Sequence, residues 1–442
     1  MIGLPGAVAI GTGTMIGAGI FVFPGLAAGQ AGPAATISFG IGAIVALFIA
    51  LPTAELATAM PESGGGYYFI SRGLGATLGS VVGIGLVFGL VFAAAFYLVG
   101  FGEYLLAIVG ELGFRQVITL TVGPLSLVSV VGIGAGGVLT IVGILGTENV
   151  EAVQNALVGV LLAILVIVLL RSGLDVLGVV GDSRIPGELV PYGYPAVLTT
   201  AALVFTSYLG FAQIATVAGE IVEPSRNLPL ALVGSVLLVG VFYIVMVFVA
   251  ASTFAPAVLL EMGETATVEV ARVYLGIGGA VAILAAGFLA TLSSANASLL
   301  SGSRTLYALS RDALVPGLAG RVSQQYGTPH FALAFVGGLA IGLVVVDRIE
   351  ILAEVASFLH LVMYGLICVT QLKLQRSDPE WYDPTFQSPG TPYIPIGGVI
   401  ASFGLMAFMQ PLSQAIGLVL VGFGAVWHHL YGANVQLEER TE

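Results

Sequence analysis

Gly11-Thr12-Gly13-Thr14-Met15-Ile16-Gly17-Ala18-Gly19-Ile20-Phe21 sets four glycines into an otherwise apolar stretch. Each glycine inside a helix costs about 1 kcal/mol relative to alanine. A bilayer supplies no water to replace a lost backbone hydrogen bond, so such a run survives only where the backbone is buried in protein or lines a cavity. The amides and carbonyls it frees then face something, and in broken membrane helices that is a substrate or an ion.

The rest of the chain supports a membrane reading of this stretch. It is 57% hydrophobic and 8% charged, against roughly 25% charged in a soluble domain, and its mean hydropathy is +1.05. The apolar run at the start has no basic flank and no small-residue cleavage pattern, so it reads as a retained span, or as the start of a chain whose true N-terminus has been lost. One cysteine, Cys368, excludes a disulfide within the chain, and Lys373 is the only lysine. The net charge of −11 argues against nucleic acid as a partner. An acidic, lysine-poor surface suits a salt-rich medium, where screening relaxes self-repulsion.

Spans of about 20 apolar residues are needed per crossing. They fall at roughly 4–29, 33–58, 75–101, 123–145, 152–170, 195–221, 228–253, 270–302, 330–346, 350–372, 394–411 and 413–431, about twelve in all. The eighth exceeds what a crossing requires and is expected to tilt or to continue beyond the bilayer. The loop cations Arg72, Arg226, Arg304, Arg311, Arg321, Lys373, Arg376 and Arg440 fall on one side. That bias predicts both termini in the cytoplasm of a multi-pass plasma-membrane protein. A polar cluster with a glycine, Phe205-Thr206-Ser207-Tyr208-Leu209-Gly210-Phe211, interrupts the sixth span. Interruptions at corresponding places in two halves point to a transport site between inverted repeats. The chain is therefore expected to be one all-α membrane domain over 1–442, with repeats over about 4–170 and 195–372 and peripheral helices over about 394–431.

Gly13-Thr14-Met15-Ile16-Gly17-Ala18-Gly19-Ile20-Phe21 resembles the first-helix motif of the amino acid–polyamine–organocation (APC) transporters. Glu55-Leu56-Ala57, Met60-Pro61 and Ser63-Gly64-Gly65-Gly66-Tyr67 resemble the second helix and its loop. Tyr208-Leu209-Gly210-Phe211 with Gly219-Glu220, Glu223-Pro224 and Arg226-Asn227 resembles the sixth helix and its exit, and Arg304 to Asp312 with Pro316 resembles the eighth-helix exit. The likeness covers essentially the whole chain and is nearest the cationic amino acid transporter branch with its prokaryotic relatives. It implies a leucine-transporter-type 5+5 inverted repeat with discontinuous first and sixth helices, and alternating access. In some relatives a fifth-helix lysine stands in for a sodium ion; the matching place here falls near Leu161, so that device is missing.

The amides of Gly17, Ala18 and Gly19 are expected to receive a substrate carboxylate, since a half-helix N-terminus offers unpaired donors and a favourable dipole. The resemblance places the carboxylate there too. Carbonyls near Met15 and Ile16, and of Phe205, Thr206 and Ser207, are expected to accept the substrate ammonium, with Phe205 and Tyr208 as an aromatic lid beside Gly210. The competing explanation is that the glycines serve close helix packing and the aromatics simple burial. Ala212 supplies no counter-charge, which favours neutral amino acids over cationic ones.

For coupling, the carbonyls of Gly13 and Ile16 with the hydroxyls of Ser293 and Ser294 form an oxygen set suited to Na⁺, unless the serines bond back to their own helix. His360, inside the tenth span, is a candidate proton carrier or a satisfied interior histidine. Glu354 is expected to be solvated. Glu55, Glu220, Arg226 and Arg304 are expected at cytoplasmic ends as an ion-paired inner gate, or as ordinary helix-end charges. No catalytic constellation, paired metal-ligand spacing or phosphate loop with lysine is present, so neither enzymatic activity nor nucleotide binding is expected. The chain reads as an ion-coupled symporter of amino acids with Na⁺ or H⁺ as the only ligand besides substrate. An amino acid or polyamine exchanger and a non-transporting membrane sensor are the alternatives, and oligomeric state is open.

Overall fold

The computed structural model describes residues 2–17, 19–61, 65–114, 121–146, 150–180, 184–433 and 435, without the side chains of residues 122 and 150–158. The first span is two helices, α1 (Leu4–Ile16) and α2 (Gly19–Ala31). Between them Gly17 takes φ 27°, ψ −134°, a backbone that no L side chain adopts without strain. α3 (Ala35–Ala59) follows a 3₁₀ turn at Gly32–Ala34. α4 (Gly65–Leu74) is short and leads into the long α5 (Ala76–Glu111). A small antiparallel ribbon of β1 (Thr121–Val122) and β2 (Leu125–Ser126) precedes α6 (Leu127–Leu145), and α7 (Val150–Val176) comes next.

α8 (Gly193–Val204) does not continue through the polar cluster. Phe205–Ala212 winds as 3₁₀ helix and an α-turn resumes only at α9 (Gln213–Thr216). Eight residues of 3₁₀ helix is at least double the usual run of three or four, which marks a hinge or a strained site. Then follow α10 (Pro224–Thr253), α11 (Pro256–Met262), α12 (Ala266–Arg311), α13 (His330–Val344), α14 (Ile349–Ser377), α15 (Tyr393–Met406) and α16 (Pro411–Trp427).

Among the described residues, nine segments are long and apolar enough to cross a membrane, and Leu4–Ile16, His330–Val344 and Tyr393–Met406 are shorter apolar helices. The overlong eighth span has a specific cause: Gly276, at φ 65° and ψ −158°, breaks α12 into two helices. The bundle has an inside and a rim. The apolar windows of α5 and α14 are 83% and 89% buried, whereas that of α6 is 17% buried. Rim helices turn Ile141, Leu170, Leu418 and Val419 outward, as contact with lipid requires.

Candidate functional site

The two interruptions meet. Thr14 Oγ1 shares its hydrogen between the Ile10 carbonyl of its own helix at 2.7 Å and the Gly210 carbonyl at 3.0 Å, and a Cβ on Gly210 would lie 2.5 Å from the Thr14 carbonyl carbon. Gly210 is therefore needed for backbone-to-backbone approach, which only a missing side chain permits. Carbonyls at and beside the breaks accept hydrogen bonds from tyrosines of other helices. Tyr243 Oη of α10 donates to the Met15 carbonyl at 2.9 Å, and Tyr364 Oη of α14 donates to the Leu209 carbonyl at 2.6 Å. Tyr104 Oη donates to the Phe21 carbonyl at 2.9 Å. All three tyrosines are fully buried. At Met15, in the last turn of α1, the Tyr243 hydroxyl performs the role the helix abandons, since a buried unpaired carbonyl would cost about 1–3 kcal/mol.

Two cavities flank this junction. One, of about 90 Å³, is bordered by Gly13 and Ile16 of α1, Gly17 at the break, Leu161 and Ile164 of α7, and Ala290, Ser293 and Ser294 of α12. The other, of about 40 Å³, lies among Gly13 and Thr14, Tyr97 of α5, Gly210 and Gln213, Ser294 and Ser298, and His360 of α14. Neither is bordered by an Asp, Glu, Lys or Arg.

Gly13, Ile16, Ser293 and Ser294 are thus brought to one cavity, with Leu161 where the resemblance expects a lysine. The serines do not bond back to their helix: among the described residues neither hydroxyl has a hydrogen-bond partner, while neighbouring Thr291 donates to the Gly287 carbonyl at 2.8 Å. Carbonyls and free hydroxyls are the donor set a hard cation takes. His360 borders the second cavity with its Nδ1 2.7 Å from the Ala356 carbonyl. A carbonyl only accepts, so Nδ1 carries the hydrogen and Nε2 is left as the acceptor.

Several expectations change. The Gly17 N–H donates to the Gly13 carbonyl at 3.2 Å, so in this conformation it closes α1 instead of facing an anion. Ala18 lies outside the described residues. Gly19 opens α2, but a Cβ there would overlap the hydroxyls of Tyr243 and Ser207. Ser207 Oγ is buried without a partner beside it. Neither cavity includes Gly19, Phe205, Thr206, Ser207 or Tyr208, whereas Gly17 borders the larger one. Thr206 Oγ1 donates to the Ala353 carbonyl at 2.9 Å and shares a 2.5 Å hydrogen bond with Ser357 Oγ. Tyr208 is no free lid: its Oη donates to the Phe39 carbonyl at 2.9 Å, with its ring on Gly42 of α3. Phe205 packs edge-on to Tyr364.

The ion-paired gate is not formed. Ion pairs among the described residues join Arg171 to Asp175 and Arg272 to Glu111 and Glu269. Glu220, Arg226 and Arg304 are exposed, where a pair is worth little. The Glu220 end is instead closed by backbone: the Ile2 N–H donates to the Glu220 carbonyl at 2.7 Å and the Val222 N–H to the Ile2 carbonyl at 3.0 Å. Glu55 is wholly buried and bonded to neutral donors of α14 and the following segment. Glu354, expected in solvent, is 3% exposed and accepts the Gln410 N–H at 3.0 Å. The sequence reading missed Tyr243, Tyr364 and Gln213; a tyrosine inside an apolar span was the available signal, because its hydroxyl needs a partner.

Comparison with known proteins agrees with this architecture. A family model described as "Amino acid permease" matches residues 6–440. The chain is 28% identical over 429 residues to the branched-chain amino acid permease BcaP of Bacillus subtilis (strain 168), covering 96% of this chain and 90% of that protein. It is 25% identical to the methylthioribose transporter of the same organism, covering 97% and 92% respectively. It is 28% identical to the vacuolar cationic amino acid transporter 4 of Arabidopsis thaliana, covering 84% and 63%. With interrupted helices, an apolar bundle and a match along nearly all its length, the chain belongs to the amino acid permease family of the APC superfamily, a family of transporters and not of enzymes.

Proposed function

We propose that this permease is a secondary active transporter carrying neutral amino acids across the plasma membrane by alternating access, with a 5+5 inverted repeat and both termini cytoplasmic. The observation that carries the reading is the junction of the two interrupted helices at Thr14 and Gly210, with cavities on either side of it. Uncharged cavity walls support a neutral substrate, and the branched-chain permease of B. subtilis is a relative of that kind. The substrate carboxylate meets the amides at the start of α2 once the bundle opens, and the carbonyls of Ile16 and of Phe205, Thr206 and Ser207 take its ammonium.

Coupling by Na⁺ fits the residues present. Gly13 and Ile16 carbonyls with Ser293 and Ser294 hydroxyls would hold the ion, which would draw α1 and α12 together as substrate binds. Uptake of labelled L-leucine, L-serine and L-arginine into proteoliposomes, with Na⁺ and proton gradients imposed separately, tests the whole reading. Leucine and serine uptake driven by one gradient supports it. Flux indifferent to both gradients but raised by internal substrate identifies an exchanger, and saturable binding without flux identifies a sensor. The decarboxylated amine of leucine should fail to compete; equal competition removes the carboxylate assignment.

A further inference from the structure

Glu55 stands one turn before the end of α3, is 0% exposed, and has no ion-pair partner among the described residues. Its carboxylate instead accepts four neutral hydrogen bonds. Oε1 receives Gln375 Nε2 at 2.7 Å and Tyr382 Oη at 2.7 Å; Oε2 receives Gln371 Nε2 at 2.9 Å and the Ser388 N–H at 2.7 Å. Beside it, Thr58 Oγ1 accepts the Phe386 N–H at 3.3 Å. One side chain thus ties the end of α3 to the last turns of α14 and to the segment joining α14 to α15. Burial and the Glu55 charge both push the Tyr382 phenol upward, which keeps it a donor.

The other ends of the same two helices hold the sixth-helix break. Tyr208 bonds the Phe39 carbonyl on α3, while Thr206 and the Leu209 carbonyl are bonded by Ala353, Ser357 and Tyr364 on α14. The 3₁₀ segment therefore hangs between α3 and α14. His360, bordering the second cavity, also rides on α14. From Phe39 to Glu55 the lever is about 24 Å at 1.5 Å per residue. The geometry assigns to Glu55 the role of a positioning residue: by fixing α14 against α3 through hydrogen bonds, it sets the sixth-helix break that shapes the transport site. This rests on the transporter reading only for its effect on uptake.

Chemistry separates this role from a charged gate or a proton carrier. In Glu55→Gln the amide oxygen can keep Gln371 and the Ser388 N–H, while Gln375 turns its amide and Tyr382 rotates its hydroxyl to accept. In Glu55→Ala four donors lose the carboxylate, three of them buried, and only Gln371 keeps a second acceptor, Thr391 Oγ1 at 3.5 Å. The native thiol reports on the junction: Cys368 is fully buried one turn before Gln371, and a Cβ on Gly398 of α15 would sit 2.7 Å from its Sγ and 3.1 Å from the Phe48 carbonyl of α3.

The full chain, Glu55→Gln, Glu55→Ala and Tyr382→Phe are reconstituted, and Cys368 is titrated with N-ethylmaleimide alongside labelled leucine uptake. Expected is at least tenfold faster Cys368 labelling and a KM raised at least tenfold in Glu55→Ala, a smaller rise of both in Tyr382→Phe, and Glu55→Gln within about threefold of the parent. Glu55→Gln as impaired as Glu55→Ala in uptake, with Cys368 still protected, overturns the proposal in favour of a charge-dependent role. Parent-like labelling and KM in Glu55→Ala overturns it outright. If Glu55→Ala does not insert, Glu55→Gln and Tyr382→Phe decide alone. If the parent carries no leucine, leucine is removed from its substrates and the labelling rates still decide whether Glu55 fixes this junction.

Discussion

Tyr243 and Gly17 carry the first break in opposite ways. Gly17 supplies a backbone conformation that other residues resist, and Tyr243 supplies the hydrogen bond that the bent backbone loses. Gly17→Leu should leave the chain inserted but reduce leucine uptake at least tenfold, measured in proteoliposomes, because its side chain meets Ser294 Oγ, 2.6 Å from the Cβ position, at a positive φ worth about 1–2 kcal/mol of strain. Tyr243→Phe strips the Met15 carbonyl of its donor in a fully buried place. A loss of about 1–3 kcal/mol follows, seen as a lower thermal midpoint in detergent; an unchanged midpoint would show that water takes over the carbonyl. The glycine run is legible in the sequence itself, since a helix in lipid tolerates such a run only where its backbone is buried in protein or lines a cavity. The tyrosines were not, because a tyrosine's partner is set by which helix faces it.

At the level of elements, the sixth-span cluster was readable as an interruption, though not as 3₁₀ helix: its polar residues could equally have bonded back along an α-helix. Neighbouring helices decide the matter, since Thr206, Tyr208 and the Leu209 carbonyl all bond outward to α3 or α14. The contact between the two breaks leaves no room for a side chain at Gly210. Gly210→Val should therefore separate α1 from the 3₁₀ segment and lower uptake by more than tenfold, with insertion judged by protease protection; retained uptake would mean the two breaks work independently. The expected gate failed at this scale for a simple reason. Charges near helix ends can be counted along a chain, but only packing turns Glu55 inward onto amides and leaves Glu220, Arg226 and Arg304 in solvent.

For the whole molecule, 24 acidic against 13 basic residues give an excess of like charge that salt screens over about 10 Å at 0.1 M and about 3 Å at 1 M. The thermal midpoint of the purified protein should rise between 0.05 and 1 M salt, with KCl and NaCl acting alike; a rise confined to NaCl would instead report occupancy of the cavity at Gly13, Ser293 and Ser294. A membrane bundle and its interrupted first and sixth helices follow from local composition and spacing, because lipid makes helix formation compulsory and makes every exception conspicuous; the family likeness rests on particular motifs along the chain. Which carbonyl meets which tyrosine, that Ser293 and Ser294 face a cavity instead of their own helix, and that Glu55 is a buried clamp depend on how distant helices are set against one another. Such pairings are made across 155 residues between Leu209 and Tyr364 and 316 between Glu55 and Gln371, a distance over which sequence spacing carries no geometric constraint.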